Sequence, residues 1–360
     1  MRIGIDAREL AGRATGAGRY LDGLLRQWSI ADRARGHEFI LYSPEPLIAP
    51  LDAHRFATRV MPGSAGTWWE QIRLPRQAAS DCLDAFFAPA YEAPLRAGVP
   101  SVVAIHDLSF VAHPEWFRTR EGVRRRWLTR ASAQRAAAAI TISEFSRQEL
   151  IERLGVPASR VHVIPPGVNR LVSPDAGGRD PRVLFVGSIF NRRRVPDLVR
   201  AFGLVTRRIH DASLDLVGDN RTYPREDPQG AIDAQGLDSR VRWHRYATDA
   251  GLRELYGRAK AFAFLSEYEG LGLTPLEALA AGVPCVLLDT PVARESCGDA
   301  ALYVRLGDIA GTADAIEALL TDEPLRARLL AAAPAVLARY DWPRAAERTL
   351  ELIERCARAA

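Results

Sequence analysis

Short apolar runs alternate with longer stretches rich in Ala, Leu and Arg along the whole chain. The apolar runs have the length of buried strands, and the stretches between them have the length of helices. This alternation is typical of βα units around a parallel sheet, so the pattern predicts an α/β fold. The strands that we expect lie near residues 2–7, 38–43, 58–62, 85–90, 101–106, 139–143, 161–165, 182–187, 213–218, 241–245, 261–266 and 284–289.

The two series of strands are separated by LVSPDAGGRDP, residues 171–181, which is rich in Pro, Gly and charge as linkers are. We therefore predict one doubly wound domain over residues 1–170, a second over residues 182–340, and a final helix over residues 341–360. A chain of 360 residues is long enough for two domains with separate cores. Ligands bind such sheets at the carboxyl ends of the strands, so we expect the functional residues there.

Composition limits the class of protein. Hydrophobic residues make up 48% of the chain and charged residues 26%, as in soluble globular proteins. No apolar run approaches the roughly 20 residues that span a bilayer, and the N-terminus lacks the apolar region of a signal peptide. The four cysteines are scattered without a CxxC pair, which argues against a zinc site or a disulfide framework. We expect a cytoplasmic protein.

The net charge of +4 is unevenly distributed along the chain. Residues up to Arg170 include 23 arginines and 17 acidic residues, whereas the remainder carries 25 basic and 27 acidic residues. A basic first half favours an acidic ligand or an anionic surface.

The basic half contains a segment in which arginines and aromatic residues are interleaved. One interpretation is a solvated helix face. The other is contact with an anionic membrane surface or a lipid diphosphate, because Arg attracts anionic head groups and Trp prefers the interface. No recognised nucleic-acid-binding module accompanies the segment, so we do not expect nucleic acid as a partner. Its residues are Trp116, Phe117, Arg118, Arg120, Arg124, Arg125, Arg126, Trp127 and Arg130.

The most informative stretch is SEYEGLGLTPLEALAAGVP, residues 266–284, which predicts a strand end, a glycine-containing loop and a helix. We expect Thr274 to be the N-cap of that helix, Pro275 to lie in its first turn and Glu277 to complete a capping box. A helix N-terminus binds anions such as phosphate, and glycines in the loop let the backbone approach a ligand closely.

Glu269 and Glu277 lie on either side of this turn, where carboxylates close to an anion need hydroxyls or cations as partners. Together with the helix N-terminus they favour a phosphorylated, polyhydroxylated ligand such as a sugar nucleotide. The alternative is that Glu277 only caps its helix and Glu269 is a solvated loop residue.

Two further patterns follow predicted strands. Arg192, Arg193 and Arg194 come after the strand at 182–187, where adjacent guanidiniums can bind a diphosphate; the alternative is a solvated basic loop. The loop TGAGRY, with Gly16 and Gly18, follows the first strand, and its backbone N–H groups could bind an anion. The alternative interpretation of this loop is a plain βα turn without a ligand.

These motifs resemble family 4 of the retaining glycosyltransferases. The spacing of Glu269 and Glu277, with GLGL between them and LEALAAGVP after, is similar to the family pattern EGFGLPxLEAMAxGxPVV. The resemblance extends over nearly the whole chain in the family's order. The other segments that carry it are RIGIDARELAGRATGAGRY, AIHDLSFVAHPEWF, TISEFSRQEL, VIPPGVN and FVGSIFNRRRVPDLVRAF.

The resemblance implies two doubly wound Rossmann-like domains facing each other across a cleft, the GT-B type, with the final helix crossing back to the first domain. The first domain would bind the acceptor and the second the nucleotide sugar. In donor binding, Gly16 and Gly18 would approach the diphosphate, and Arg192 and Arg193 would take the positions of the family's Arg-Lys pair. Glu277 would hold the ribose diol. The backbone of the glycine loop and helix start would also bind the donor, through Gly270, Leu271, Gly272, Leu273 and Thr274.

For catalysis the resemblance implies that Glu269 bonds donor-sugar hydroxyls and stabilises charge at the anomeric carbon. His106, at a strand end, would lie beside the transferred sugar, with His113 the weaker candidate. The arginine pair and the helix dipole would replace a metal ion, so neither a metal nor another cofactor is implied. In the usual family account the departing phosphate itself helps to deprotonate the acceptor hydroxyl.

The expected reaction is transfer of a hexose, mannose or rhamnose among the candidates, from a GDP- or UDP-linked donor. The acceptor would be a glycan or a polyprenyl-diphosphate-linked acceptor of surface polysaccharide synthesis, with the enzyme peripheral on the inner face of the membrane. The alternatives are a sugar-nucleotide epimerase or an inverting transferase on the same fold, and a non-catalytic nucleotide-sugar sensor.

Overall fold

The computed structural model describes residues 1–12, 16–47, 55–64, 66–169 and 178–359. They divide into two units. The first consists of Met1–Ala112, Thr119–Gly167 and Tyr340–Ala360, and the second of His113–Arg118 and Val168–Arg339. Most of the predicted linker, residues 171–177, lies outside the described residues.

The secondary structure alternates strand and helix, as predicted. The strands are β1 Arg2–Asp6, β2 Glu38–Ser43, β3 Phe56–Val60, β4 Ala85–Ala88, β5 Ser101–Ala104, β6 Ala138–Thr141, β7 Val161–Val163, β8 Arg182–Val186, β9 Ser213–Val217, β10 Val241–His244, β11 Ala261–Phe264, β12 Cys285–Leu288 and β13 Ala301–Val304. The helices are α1 Gly16–Ile30, α2 Leu74–Ser80, α3 Ser109–Ala112, α4 Thr119–Arg135, α5 Glu144–Leu154, α6 Val195–Thr206, α7 Pro228–Asp233, α8 Asp249–Arg258, α9 Leu273–Ala280, α10 Pro291–Cys297, α11 Ile309–Thr321, α12 Glu323–Leu337 and α13 Trp342–Arg358.

Each unit is built on a parallel sheet. In the first unit the strand order is β3-β2-β1-β4-β5-β6-β7, and in the second it is β10-β9-β8-β11-β12-β13. In both sheets the chain starts in the interior, builds toward one edge and then crosses back to build toward the other. The prediction of two doubly wound, Rossmann-like α/β domains is therefore confirmed.

The final helix, α13, belongs to the first unit and packs against α1. Leu350 and Ile353 of α13 enter the same core as Trp28 of α1. The indole nitrogen of Trp28 donates a hydrogen bond of 2.9 Å to the carbonyl of Ala346, and its ring stacks on Phe39 with centroids 5.3 Å apart. An apolar stripe along a polar helix thus explains why the end of the chain returns to the first sheet.

Several strands end one or two residues before their predicted carboxyl ends. β8 and β9 end where Gly187 and Gly218 adopt φ values of 143° and 144°. A Cβ atom at Gly218 would overlap the carbonyl oxygen of Gly187. The loops after β8 and β9 can therefore approach each other closely only because residue 218 is glycine. The strand at 301–304, β13, was not predicted, because four residues at a sheet edge carry little periodic signal.

None of the helices in the described part of the chain is long and apolar enough to cross a membrane.

Candidate active site

In the second unit the loops after β8 and β11 lie side by side, because these strands are neighbours in the sheet. Arg192 and Arg193 end a short 3₁₀ turn after β8, and Glu269 lies in the loop after β11. The backbone N–H of Glu267 donates a hydrogen bond of 2.8 Å to the carbonyl of Arg192, which fixes the two loops together. The structure thus brings two residues predicted to bind the donor, Arg192 and Arg193, and one predicted to be catalytic, Glu269, to the carboxyl ends of adjacent strands.

The Arg193 guanidinium is held on several sides. Its Nε donates to Glu269 Oε1 at 2.8 Å, and its Nη1 donates to the carbonyl of Ser188 at 2.9 Å. The guanidinium also lies 5.0 Å from the ring centroid of Phe264. Such contacts fix the orientation of a long side chain, so that little conformational entropy is lost when a ligand binds.

Arg192 contributes a second cation. Its side chain is 11% exposed, its Nε lies 3.9 Å from Glu269 Oε1, and its guanidinium lies 4.4 Å from the ring centroid of Phe190. Within the described residues this buried Nε has no hydrogen-bond partner. Arg192 therefore adds a second positive charge beside the Glu269 carboxylate, and adjacent guanidiniums at a strand end suit an anionic ligand.

Glu269 is ionised in this environment. Burial opposes its charge, but Arg193 and Arg192, together with hydrogen bonds from Arg193 and Ser266, outweigh burial and hold its pKa below the usual range. The Ser266 hydroxyl donates to the same carboxylate oxygen at 2.9 Å. Ser266 was not singled out from the sequence, although it ends the predicted strand three residues before Glu269.

A small cavity of about 20 Å³ adjoins this carboxylate and is lined by Glu269, Ser266, Gly272 and Thr290 among others. That volume holds roughly one water molecule. A sugar would therefore bind outside this cavity.

The helix after the glycine loop begins differently from the prediction. Its N-cap is Gly272, at φ 86° and ψ 63°, and no side chain caps it. Leu273 and Thr274 are the first two helical residues, so Thr274 is not the N-cap and Glu277 does not complete a capping box. The physical reason is that glycine enters the left-handed region freely, which lets the helix start two residues earlier.

Because no side chain caps α9, its first N–H groups keep the capacity to bind an anion. Gly270 and Leu271 precede the helix and are buried. Glu277 lies in the second turn, where its Oε2 accepts a long hydrogen bond of 3.5 Å from the hydroxyl of the buried Tyr256.

In the first unit, Gly16 and Gly18 lie in the first turn of α1, so the prediction that they form a loop was wrong. The first residue of the TGAGRY motif, Thr15, lies outside the described residues. Gly18 is buried, and Tyr20 packs edge-on against His106 with ring centroids 4.8 Å apart. The start of α1 and His106 therefore lie together.

His106 follows β5, as predicted. Its Nε2 lies 2.7 Å from the carbonyl of Pro89, to which it donates, and its own carbonyl accepts a hydrogen bond from the Ser146 hydroxyl. Burial lowers the pKa of His106 despite the Pro89 contact and nearby acidic groups. A neutral imidazole with Nε2 committed to the backbone leaves Nδ1 for a ligand.

His113, the weaker candidate, belongs to the second unit. Its ring stacks on Trp116 with centroids 4.0 Å apart and meets the edge of Tyr268, beside Glu269, at 5.5 Å.

The first unit also holds an ionic cluster that was not predicted. Arg8 binds Asp6 at 2.7 Å and Glu70 at 3.1 Å, and Arg124 of α4 reaches Glu92 at 3.4 Å. Burial raises the pKa of Glu70 to about 7; Arg8 opposes this shift, and Glu92 and Asp6 add to it. Asp6 lies near the carboxyl end of the predicted strand 2–7 and Glu92 comes just after the predicted strand 85–90, and those positions were the available sequence signal.

In the arginine-rich segment, the middle arginines contact the protein rather than solvent alone. Arg124 donates to Thr67 at 3.0 Å, Arg125 lies 4.5 Å from the Tyr91 ring centroid, and Arg126 donates to the carbonyl of Phe110 at 3.3 Å. Trp127 is 62% exposed and Arg130 is exposed as well.

Across the described part of the chain, no three His, Cys, Asp or Glu side chains come together as a metal site requires.

Comparison with known proteins identifies the class. Residues 173–336 match the family described as glycosyl transferases group 1, and residues 14–170 match glycosyltransferase family 4. O-antigen chain mannosyltransferase B of Escherichia coli is 24% identical over 269 residues, covering 69% of this chain and 69% of that protein. Alpha-D-kanosaminyltransferase of Streptomyces kanamyceticus is 28% identical over 262 residues, covering 68% of this chain and 67% of that protein.

Among solved structures, Anabaena Alr3699/HepE in complex with UDP-glucose superposes with a TM-score of 0.78. The identity is 19%, and the match covers 99% of this chain and 100% of that one, which shows a shared fold. Two Rossmann-like domains of this kind define the GT-B class of glycosyltransferase. The chain belongs to family 4 of the glycosyltransferases, the glycosyl transferases group 1.

Proposed function

We propose that this protein is a retaining, metal-independent hexosyltransferase. It moves a hexose from a GDP- or UDP-linked donor to a glycan or a polyprenyl-diphosphate-linked acceptor in surface polysaccharide synthesis. The observation that carries the proposal is the placement of Arg192, Arg193 and Glu269 at the carboxyl ends of β8 and β11.

The donor diphosphate binds between the arginine pair and the N-terminus of α9. Arg193 keeps Nη2 for a phosphate oxygen, since Nε and Nη1 are bonded to Glu269 and Ser188. Arg192 adds a second positive charge beside Arg193. Two guanidiniums and a helix dipole stabilise the charge that builds on the departing phosphate, as a metal ion would.

Transfer breaks the bond between the anomeric carbon and the phosphate oxygen, and the acceptor oxygen bonds to the same face of that carbon. The acceptor proton moves to the departing phosphate. Glu269, held ionised by Arg193, binds sugar hydroxyls and stabilises positive charge at the anomeric carbon, while Glu277 binds the ribose diol. His106 offers Nδ1 or its backbone to a sugar hydroxyl.

The sugar and acceptor are suggested by the relatives. The Escherichia coli relative is named for mannose and an O-antigen chain, and the Streptomyces relative for an amino sugar. We therefore place mannose first and include other hexoses in the test.

We further propose that the enzyme works at the inner, anionic face of the membrane. Trp127 and Val123 of α4 are 62% and 53% exposed, and Arg120 and Arg130 are exposed on the same helix. Aromatic and basic residues combined on one exposed helix favour the membrane interface. A lipid-linked acceptor would reside there.

The test is incubation of the protein with GDP-mannose, UDP-glucose and other nucleotide sugars, followed by analysis of released nucleoside diphosphate and sugar. Release of nucleoside diphosphate from at least one donor supports a transferase. Conversion of the sugar without release would show an epimerase, and tight binding without any turnover would show a sensor.

A further inference from the structure

A groove of about 850 Å³ opens on the first unit at the amino ends of β5 and β6. Ser101 and Ala138 at those strand ends form its floor, and Leu352 and Cys356 of α13 form one wall. His106 follows the carboxyl end of β5. The groove therefore lies at the amino-terminal edge of this sheet, opposite the edge at which His106 lies. Its volume is within the range of small-molecule sites.

The groove is cationic. Arg135 and Arg355 line it together with His162, whose imidazole adds no charge, and none of its lining residues is acidic. Within the described residues, neither arginine makes a hydrogen bond or an ion pair, whereas most arginines of this chain are paired. Two unpaired guanidiniums in one groove raise the local potential for an anion.

Both arginines lie in the last turns of their helices, α4 and α13, whose carboxyl ends carry partial negative charge. Each helix end contributes roughly half a negative charge, so two full positive charges leave the groove net positive. Burial holds the pKa of His162 below the usual range, and the nearby arginines, Arg355 of the groove among them, add to this shift.

We propose that this groove binds an organic phosphate with an apolar or sugar portion. Guanidiniums bind phosphate oxygens in pairs of hydrogen bonds, and the apolar wall formed by Leu352 and its neighbours accommodates the remainder of the ligand. The phosphate belongs either to a lipid or to a soluble phosphorylated sugar. The proposal is independent of the donor site, which uses other residues.

Cys356 provides a direct readout because it lines the groove and is half-buried. Cys285 and Cys297 are buried, and the exposed Cys82 is removed by the substitution Cys82→Ser. In that background the rate of Cys356 labelling by an aromatic disulfide at mildly alkaline pH is measured with inorganic phosphate, mannose 1-phosphate or dihexanoyl phosphatidic acid. Calorimetric titration of the same three compounds gives affinity without a label.

Saturable protection of Cys356 by either organic phosphate is expected. Protection by mannose 1-phosphate assigns a soluble ligand, and protection by the phosphatidic acid alone assigns a lipid. The double substitution Arg135→Gln/Arg355→Gln should weaken binding about ten- to a hundredfold. Arg207→Gln/Arg328→Gln, at two exposed arginines of the second unit, is the matched control and should change nothing.

The double variant should keep its melting temperature, since both arginines are exposed, and should keep its affinity for the nucleotide sugar. The proposal is overturned if none of the compounds protects Cys356 or gives heat, or if the double variant binds as tightly as the parent protein. Neither result would bear on the donor site.

Discussion

At the scale of single residues, the proposed donor site depends on the ion pair between Arg193 and Glu269. Each side chain is largely buried, at 13% and 15% exposure, so each would be costly to leave without the other. We therefore expect substitution of Arg193 to remove the proposed phosphate contact and to raise the pKa of Glu269, which burial alone would raise.

We expect Arg193→Ala and Glu277→Ala each to weaken donor binding. Loss of a charged hydrogen-bond partner costs about 1.5–3 kcal/mol, or roughly ten- to a hundredfold in affinity. Calorimetric titration with the preferred nucleotide sugar measures the change, with Arg328→Ala and Glu254→Ala, both at exposed helical positions, as matched controls. Unchanged donor affinity in both site variants would remove these residues from the site.

The sequence predicted which charged residues come together better than it predicted their local contacts. Arg192, Arg193 and Glu269 were found because charged residues follow apolar runs, and parallel strands bring such positions together. The hydrogen bond from Arg193 to Glu269 could not be predicted, because it depends on how two loops 76 residues apart in sequence pack. The contacts of Arg193 with Ser188 and of Ser266 with Glu269 are local, but they depend on loop conformations that composition does not specify.

At the scale of elements, the start of α9 shows why helix boundaries are hard to predict. Thr274 followed by Pro275 has the composition of a cap, but the left-handed conformation of Gly272 decides where the helix begins. The composition of a segment indicates which residues could cap a helix, whereas the path of the chain after β11 determines at which residue the helix begins.

This difference can be measured by unfolding. Thr274→Ala should change the free energy of unfolding by less than about 0.5 kcal/mol, because an N-cap Thr contributes about 1 kcal/mol and Thr274 is not one. Gly272→Ala should cost about 1 kcal/mol or more, since alanine must adopt positive φ. Urea unfolding of the two variants measures both changes. A loss of stability in Thr274→Ala of about 1 kcal/mol or more would show that Thr274 caps the helix after all.

The ionic cluster around Glu70 makes the first unit sensitive to pH. Because the folded-state pKa of Glu70 is raised to about 7, the protonated carboxyl stabilises the fold. That contribution is complete below the unfolded value near 4.5 and is lost as pH rises through 7.

We therefore expect Glu70→Gln, which stays neutral, to gain stability over the wild type as pH rises from 5 to 8. The gain should be up to about 3 kcal/mol, the equivalent of a shift from 4.5 to 7. Urea unfolding at the two pH values measures it, and Glu45→Gln, at an exposed carboxylate, is the control. An equal difference between Glu70→Gln and wild type at both pH values would show that Glu70 does not titrate in this range.

At the scale of the whole molecule, the basic first half predicts attraction to anionic lipid. Arg124, Arg125 and Arg126 contact the protein, so the exposed Arg120 and Arg130 are the better test. Each basic residue near such a surface contributes about 1 kcal/mol, falling with salt, so Arg120→Gln/Arg130→Gln should weaken binding roughly thirtyfold at low salt.

Sedimentation with phosphatidylglycerol vesicles measures this binding, with Arg207→Gln/Arg328→Gln as the charge-matched control. If the wild-type protein stays in the supernatant at low ionic strength, α4 is a solvated helix face and the membrane proposal is wrong.

The central claim is that Arg192, Arg193, Glu269 and the start of α9 form a metal-independent donor site for retaining transfer. The most direct measurement is the NMR spectrum of the anomeric proton of the product, formed from an α-linked nucleotide sugar in excess EDTA. We predict an α-linked product at an undiminished rate, and loss of that product in Arg193→Ala. A β-linked product, or turnover that stops in EDTA and returns with Mg²⁺ or Mn²⁺, would contradict the account.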